Sequence, residues 1–305
     1  MPISVKMFKR RQQGPVQQAS VFDTLKTGMQ QGKQPAALVS SLIADPGKPV
    51  ADVTIMINVW KRTHIEEQLF HLLSQSVYPK EIWVLYYEQH VNVEDTIRLY
   101  QKQFPFITII RSDKNLRYFG RFSIAVNVTT KYTWIIDDDV IPGEQWLANC
   151  VEKCEALNSI ISCTGRIIPR NNFRPERWRW GNSYKHFIGD EKNGGQMNYC
   201  EGDTKVDYAC NSYFIKSAWM QAFWSIWPVT FSSGEDIHLS AACSSRLGVG
   251  TFVLAQSSIR DSGNIKRPYG WDVNASWKKK DFINIREEVL RYHIEKNNWT
   301  PLLWK

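Results

Sequence analysis

At 305 residues and 43% apolar content, the chain can bury a sizeable core as one large α/β domain or two smaller ones. No apolar run approaches the length of a transmembrane helix, and the basic segment 1–15 lacks the hydrophobic stretch of a secretory signal. The net charge of +8 is uneven: residues 1–50 hold seven Lys/Arg against two Asp, a net +5, so a pI of about 9.1 says little about the body.

Residues 1–50 read as a basic extension. Lys6, Lys9, Arg10 and Arg11 form a solvated arm that could touch an acidic surface, and only Leu38-Val39 and Leu42-Ile43 break the weak periodicity up to Pro49. From residue 53 the pattern becomes regular. Residues 53–59 form an apolar strand, and Ile65, Leu69, Leu72 and Leu73 then mark one face of a helix. Tyr78-Pro79 is expected to end that helix before a second strand at 81–86. A helix around 93–104, a third strand at 106–110 and a helix near 121–128 complete the alternation. Strand and helix in turn predict a mostly parallel sheet with helices on both faces.

The fourth strand, Tyr132-Thr133-Trp134-Ile135-Ile136, runs straight into Asp137-Asp138-Asp139. Two like charges about 4 Å apart at an effective dielectric near 20 repel by roughly 4 kcal/mol, so such a triplet requires compensation. If the strand persists, Asp137 and Asp139 share a face with Asp138 opposite. Hard carboxylate oxygens suit Mg²⁺ or Mn²⁺, ions that commonly also hold a substrate phosphate. In parallel α/β sheets ligands bind outside the carboxyl ends of the strands, where this triplet lies.

The six cysteines show no Cys-x-x-Cys pair and no zinc spacing, and Cys150 and Cys154 share a helix face. Buried thiols in a reducing, cytoplasmic setting are the expectation. A stretch at 173–180 interleaves Arg174, Arg177 and Arg179 with Phe173, Trp178 and Trp180. Indole faces suit sugar rings and Arg clamps phosphates, so Trp178 and Trp180 are acceptor-side candidates, while Trp219, Trp224 and Trp227 read mainly as packing. Such interleaving also serves single-stranded nucleic acid, although no DNA or RNA partner is expected here.

A second acidic site lies at Ser233-Gly234-Glu235-Asp236-Ile237-His238. Acids in a first helical turn gain about 0.3–1 kcal/mol from the dipole, the purely structural explanation. The functional one is a general base acting on an acceptor hydroxyl. The tail carries Arg267-Pro268-Tyr269-Gly270-Trp271 and Lys278-Lys279-Lys280, which suit a lid over a diphosphate, before Phe282, Ile285, Val289 and Tyr292 mark a closing helix.

Taken in order, Ser74–Glu88 (SQSVYPKEIWVLYYE), Asn58-Val59-Trp60-Lys61-Arg62, Asn115-Leu116, Arg121-Phe122, the Asp triplet, Ser162-Cys163-Thr164-Gly165-Arg166 and Gly234-Glu235-Asp236-Ile237 resemble the GT-A glycosyltransferases. The likeness is to family 2, with exostosin-like features, over roughly residues 53–255. It implies a Rossmann-like, mostly parallel sheet with a smaller acceptor-side subregion. Residues 51–140 would bind a nucleotide sugar, 141–260 would bind acceptor and catalyse, and 261–305 would form the lid and last helix.

The resemblance further implies that Asp139, with Asp137, holds Mn²⁺ or Mg²⁺ on the donor diphosphate. Asn58, Trp60, Arg62, Glu88, Asn115, Arg121, Asp137 and Asp138 would contact the donor, and Arg166 the acceptor. Trp60 and Lys61 stand where Tyr and Asn are commoner, and Tyr87-Glu88 replaces an acidic pair. Asp236, or its neighbour Glu235, would be the base of an inverting single displacement. Exostosin-like enzymes retain configuration instead. Some relatives add a C-terminal His to the metal, for which His238 and His293 are the downstream candidates. The implied reaction moves a sugar, from UDP by preference, to a hydroxyl on a glycan, lipid-linked glycan or glycoprotein, with peripheral membrane contact allowed. A sugar-1-phosphate nucleotidyltransferase and a Trp-rich carbohydrate-binding module are the rival classes.

Overall fold

Residues 36–174, 186–190 and 195–305 are described by the computed structural model. The short helix α1 (Ala36–Val39) puts Val39 against the main core, with Leu42 beside it, and Lys48 Nζ donates to Leu73 O at 3.1 Å, while most of residues 40–50 are exposed. The rest of the expected basic arm and the Trp178/Trp180 pair lie outside the described residues.

The apolar runs of the first half fold as parallel strands because both of their faces are covered. β1 (Val50–Val59), β2 (Tyr78–Tyr87), β3 (Ile107–Ser112) and β4 (Tyr132–Ile136) are joined by α2 (Ile65–Leu73), α3 (Glu94–Gln103) and α4 (Arg117–Ala125). All five residues of β4 are buried, as are Ile65, Leu69, Leu72 and Leu73 of the α2 stripe. The helix α2 ends at Leu73, ahead of Tyr78-Pro79, and these two residues open β2 earlier than the expected start at Glu81, with Pro79 opposite Ala51 just before a register shift in β1. That end of a strand tolerates a residue without an N–H. The helix expected near 121–128 starts earlier, because Phe119, Phe122 and Ala125 are the residues that reach the core.

The chain then turns back. After α5 (Trp146–Leu157), which buries Cys150 and Cys154, come β5 (Ile160–Ser162), β6 (Thr164–Arg166), β7 (Phe187–Ile188), β8 (Thr204–Val206), β9 (Tyr208–Cys210) and β10 (Ser212–Lys216). β10 runs antiparallel to β4 and carries the sheet onward. With β11 (Thr251–Val253), the eight strands take the order β3-β2-β1-β4-β10-β5-β11-β8, and β7-β6-β9 form a second, smaller sheet. A mixed α/β sheet with a parallel half and a smaller subregion is the architecture expected.

Three helices complete the second half: α6 (Met220–Trp224), α7 (Glu235–Leu247) and α8 (Phe282–Lys296). Ile237 and Ala241 of α7 pack with Val289 and Leu290 of α8 in a satellite core. All six cysteines are buried and none is in a disulfide, and no described helix is long and apolar enough to cross a membrane. The order β3-β2-β1-β4 places a topological switch between β1 and β4. A crevice opens there at their carboxyl ends.

Candidate active site

β1 delivers Asn58, Trp60 and Arg62 to that crevice, and β4 delivers the Asp triplet. They line one cavity of about 980 Å³ that also takes in Glu88, Asn115, Arg121, Arg166, Glu235 and Asp236. Every described residue that the sequence nominated for donor, acceptor or catalysis therefore faces the same space. His238 and His293 do not. They are buried and hydrogen-bonded to each other at 3.0 Å, with His238 among Phe119 and Phe223.

The triplet departs from the expected alternation. β4 ends at Ile136, and Val140 N donates to Asp137 O at 3.2 Å, so the three acids lie on a turn. Asp138 and Asp139 are consequently within reach of one guanidinium nitrogen. Arg62 Nη1 donates to Asp138 Oδ1 and lies 3.1 Å from Asp139 Oδ2. The same Arg62 forks onto Asp272, Nε to Oδ2 at 2.9 Å and Nη2 to Oδ1 at 2.8 Å. Burial first, then the charges of Asp137 and Asp138, push Asp139 up to about 8 despite Arg62. The triplet is a site still short of positive charge.

Asp137 is served by a second arginine. Arg121, from α4 and 2% exposed, donates to Asp137 Oδ1 and, at 2.9 Å, to Glu235 Oε1. One guanidinium thus links the triplet to the acid pair at the start of α7. Glu235 is buried, and burial followed by the charges of Asp236 and Asp137 raises it to about 7. Asp236 is held differently: Arg286 of α8 donates to both its oxygens at 2.8 Å, and Ile237 N donates to Oδ1. The helix cap that starts this turn has to be glycine. Gly234 sits at φ +86°, and a Cβ there would stand 2.8 Å from Val289 Cγ2.

At the far end of β1, Trp60 Nε1 donates to Glu88 Oε2 at 3.0 Å, and His90 shares the same oxygen at 2.9 Å. Asn58 Oδ1 and Tyr87 Oη, both buried, have no hydrogen-bond partner. Asn115 is turned inward on its own loop, its Oδ1 accepting from Arg117 N. Across the cavity, Arg166 of β6 lies over the Phe187 ring at 4.0 Å.

The tail segment forms a roof. A Cβ on Gly270 would lie 3.1 Å from Asp139 Oδ2, a tight contact that the carboxylate would have to relieve by a few tenths of an ångström, so the strap runs close over the triplet. Tyr269 stacks on His64 with ring centroids 3.9 Å apart and donates to Glu67, and Tyr118 Oη meets Ser276 Oγ at 2.7 Å. Asp272 and Arg286 were not nominated from sequence. Asp272 carried a signal, as the lone acid between Asp261 and Asp281 in a basic loop. Arg286 carried none. Among the described residues no group of three or more His, Cys, Asp or Glu side chains forms a closed metal cage.

A mixed α/β sheet whose acid-tipped strand flanks a switch-point crevice is consistent with the GT-A, Rossmann-like fold. Residues 54–219, 166 of the 305, match the family model described as Glycosyl transferase family 2, and the chain belongs to that family of sugar-transferring enzymes. No curated protein matches. Among solved structures, residues 1–349 of S. aureus TarS are similar at 12% identity over 81% of this chain and 66% of that one, with a TM-score of 0.50. A longer S. aureus TarS structure is similar at 12% over 68% and 35%, TM-score 0.45. Mannosyltransferase PcManGT from Pyrobaculum calidifontis, solved with GDP-Man and Mn²⁺, is similar at 16% over 78% and 64%, TM-score 0.43. The chain spans between about a third and two thirds of the length of these proteins. The likeness is one of fold.

Proposed function

We propose that this chain is a metal-dependent glycosyltransferase that moves a sugar from UDP to a hydroxyl on a glycan, lipid-linked glycan or glycoprotein, in the cytoplasm. The observation that carries this is the sharing of one cavity by the triplet and the Glu235–Asp236 pair, joined through Arg121. Donor and acceptor chemistry need that proximity. Family membership favours this reading over a nucleotidyltransferase or a carbohydrate-binding module.

The donor set fits Mn²⁺ or Mg²⁺: hard carboxylate oxygens only, with Asp139 raised to about 8 for want of positive charge. Asp139 and Asp137 would hold the ion, with phosphate oxygens supplying further ligands. A divalent ion in that place neutralises the leaving nucleoside diphosphate. For the base, Asn58 Oδ1 offers an acceptor and Tyr87 Oη a donor, the complement of the N3–H and carbonyl of uracil. Arg62, now engaged by Asp138 and Asp139, turns toward phosphate once the triplet is neutralised. The roof over Asp139 excludes water from the anomeric carbon.

Asp236 stands where the resemblance puts the base of an inverting displacement. Arg286 fixes its carboxylate and Ile237 N occupies Oδ1, leaving one lone pair on Oδ2 for the acceptor proton. A second reading has Glu235 as the base, because its pKa of about 7 matches the task. Calorimetry of UDP with Mn²⁺ and with chelator, on wild type and Asp139→Ala, tests the whole. Binding that needs Mn²⁺ and disappears in the variant supports the site. Failure of UDP, GDP, CDP and TDP alike overturns it.

A further inference from the structure

Among the described residues, the wall of the cavity opposite the triplet holds nitrogen donors without an acceptor. Arg166 is 8% exposed and lines the cavity. Among the described residues its guanidinium makes no ion pair and no side-chain hydrogen bond; its contact is the Phe187 face at 4.0 Å. The described acids that line or flank the cavity are committed elsewhere. Asp207 accepts from Ile168 N and Leu302 N, Asp236 is forked by Arg286, Glu235 pairs with Arg121, and Asp190 pairs with Arg267. Two more donors join it. Among the described residues Arg267 Nε and Asn198 Nδ2 are buried with no hydrogen-bond acceptor, Asn198 lying beside the Cys163 thiol, and both residues line the same cavity.

A buried guanidinium left without an anion is costly, and a ring stacked on its face leaves its N–H edge directed outward. The strands bring these groups together. Arg166 is paired with Phe187 across β6 and β7, and Asp190 bridges to Tyr199 beside Asn198. The anions common to every nucleotide sugar are its phosphates, which belong beside the triplet on β4. The donors on β6 and in the roof therefore await a different negative charge.

We propose that Arg166, with Arg267 and Asn198, forms a subsite for an anionic group, a carboxylate or a phosphate, carried by the acceptor. This rests on the transferase reading of the same cavity. The acceptor is then one that carries a carboxylate or a phosphate. Arg166 positions it and takes no part in the bond-making step.

The test compares D-glucose, D-glucuronate and D-glucose 6-phosphate by saturation-transfer NMR on the full chain, with chelator present. Without a divalent ion the acidic triplet repels anions. The expected result is that one or both charged sugars bind at least roughly tenfold tighter than glucose, the worth of one charge-assisted contact. Whichever binds better identifies carboxylate or phosphate as the group read. Arg166→Gln erases the preference, Arg166→Lys keeps part of it, and UDP binding with Mn²⁺ stays within about twofold. The wild-type comparison stands even if a variant does not fold. Equal binding of glucose and both charged sugars overturns the subsite. So does a preference that survives in Arg166→Gln while UDP binding is lost, which assigns Arg166 to the donor diphosphate. A charged-sugar preference in a protein that binds no nucleotide leaves the subsite standing and removes the donor reading.

Discussion

At the scale of single residues, the triplet trades stability for charge. Asp139 is buried beside two other acids and is raised to about 8, so at neutral pH it keeps a proton or imposes repulsion. Asp139→Asn relieves that conflict while removing a hard ligand. Nucleotide binding in Mn²⁺ should weaken by roughly 100-fold or more, while the melting temperature holds or rises. Calorimetry and a thermal melt on the same sample read both; a falling melting temperature would show the carboxylate to be structural. The acid pair makes a pH-dependent prediction. A general base works deprotonated, so if Glu235 serves, the rate rises with pH through about 7 and falls about tenfold per unit below it. Glu235→Gln then abolishes turnover. If Asp236 is the base, Glu235→Gln removes the inflection but retains activity, and Asp236→Asn is the inactive variant.

At the scale of elements, two contacts decide where the acid pair and the roof sit. Gly234 caps α7 at φ +86° and touches Val289 of α8, whereas Gly248 caps the other end at φ +67° with nothing within 4 Å of a built Cβ. Gly248→Ala thus pays only the left-handed penalty of about 1–2 kcal/mol. Gly234→Ala adds the overlap with Val289 and should melt several degrees lower than Gly248→Ala by calorimetry, roughly 2–4 °C per kcal/mol. Equal melting temperatures would mean that α7 and α8 are not packed this tightly. The roof depends on the Arg62–Asp272 fork, which crosses 210 positions of sequence. Asp272→Ala should free the strap over 261–281, seen as faster amide exchange there in the protein without nucleotide, and leave exchange in β1 and β4 unchanged.

At the scale of the whole molecule, what was legible follows from how local each signal is. β1, β4 and the α2 stripe were readable because burial on a strand or a helix face leaves a periodic trace. The triplet and Glu235–Asp236 were readable because acids at element ends stand out. The pairings were not, since Arg62 with Asp272 or Arg286 with Asp236 obey no spacing rule. The sheet β7-β6-β9, built from two- and three-residue strands, is too short to show alternation. Nor did sequence show what His238 and His293 do. They tie α7 to α8 inside an aromatic cluster that includes Phe119 of α4. His238 Nε2 donates to Phe223 O at 2.9 Å, so its Nδ1 must accept from His293 Nε2. A proton added to His238 Nδ1 would face that donor. Burial lowers His238 from its ordinary 6.5 to about 4, and burial with His238 lowers His293 to about 3. The unfolded chain therefore binds more protons below pH 6.5, so this stability is whole above 6.5 and drains as pH falls toward 3–4. A depression from 6.5 to about 4 corresponds to about 3 kcal/mol for His238 when fully expressed. His293→Gln keeps an N–H for His238 Nδ1 and removes one titrating ring. Urea titrations at pH 7.5 and pH 5 should show a smaller loss for the variant than for wild type. An equal loss would place the acid sensitivity among the carboxylates of the cavity instead.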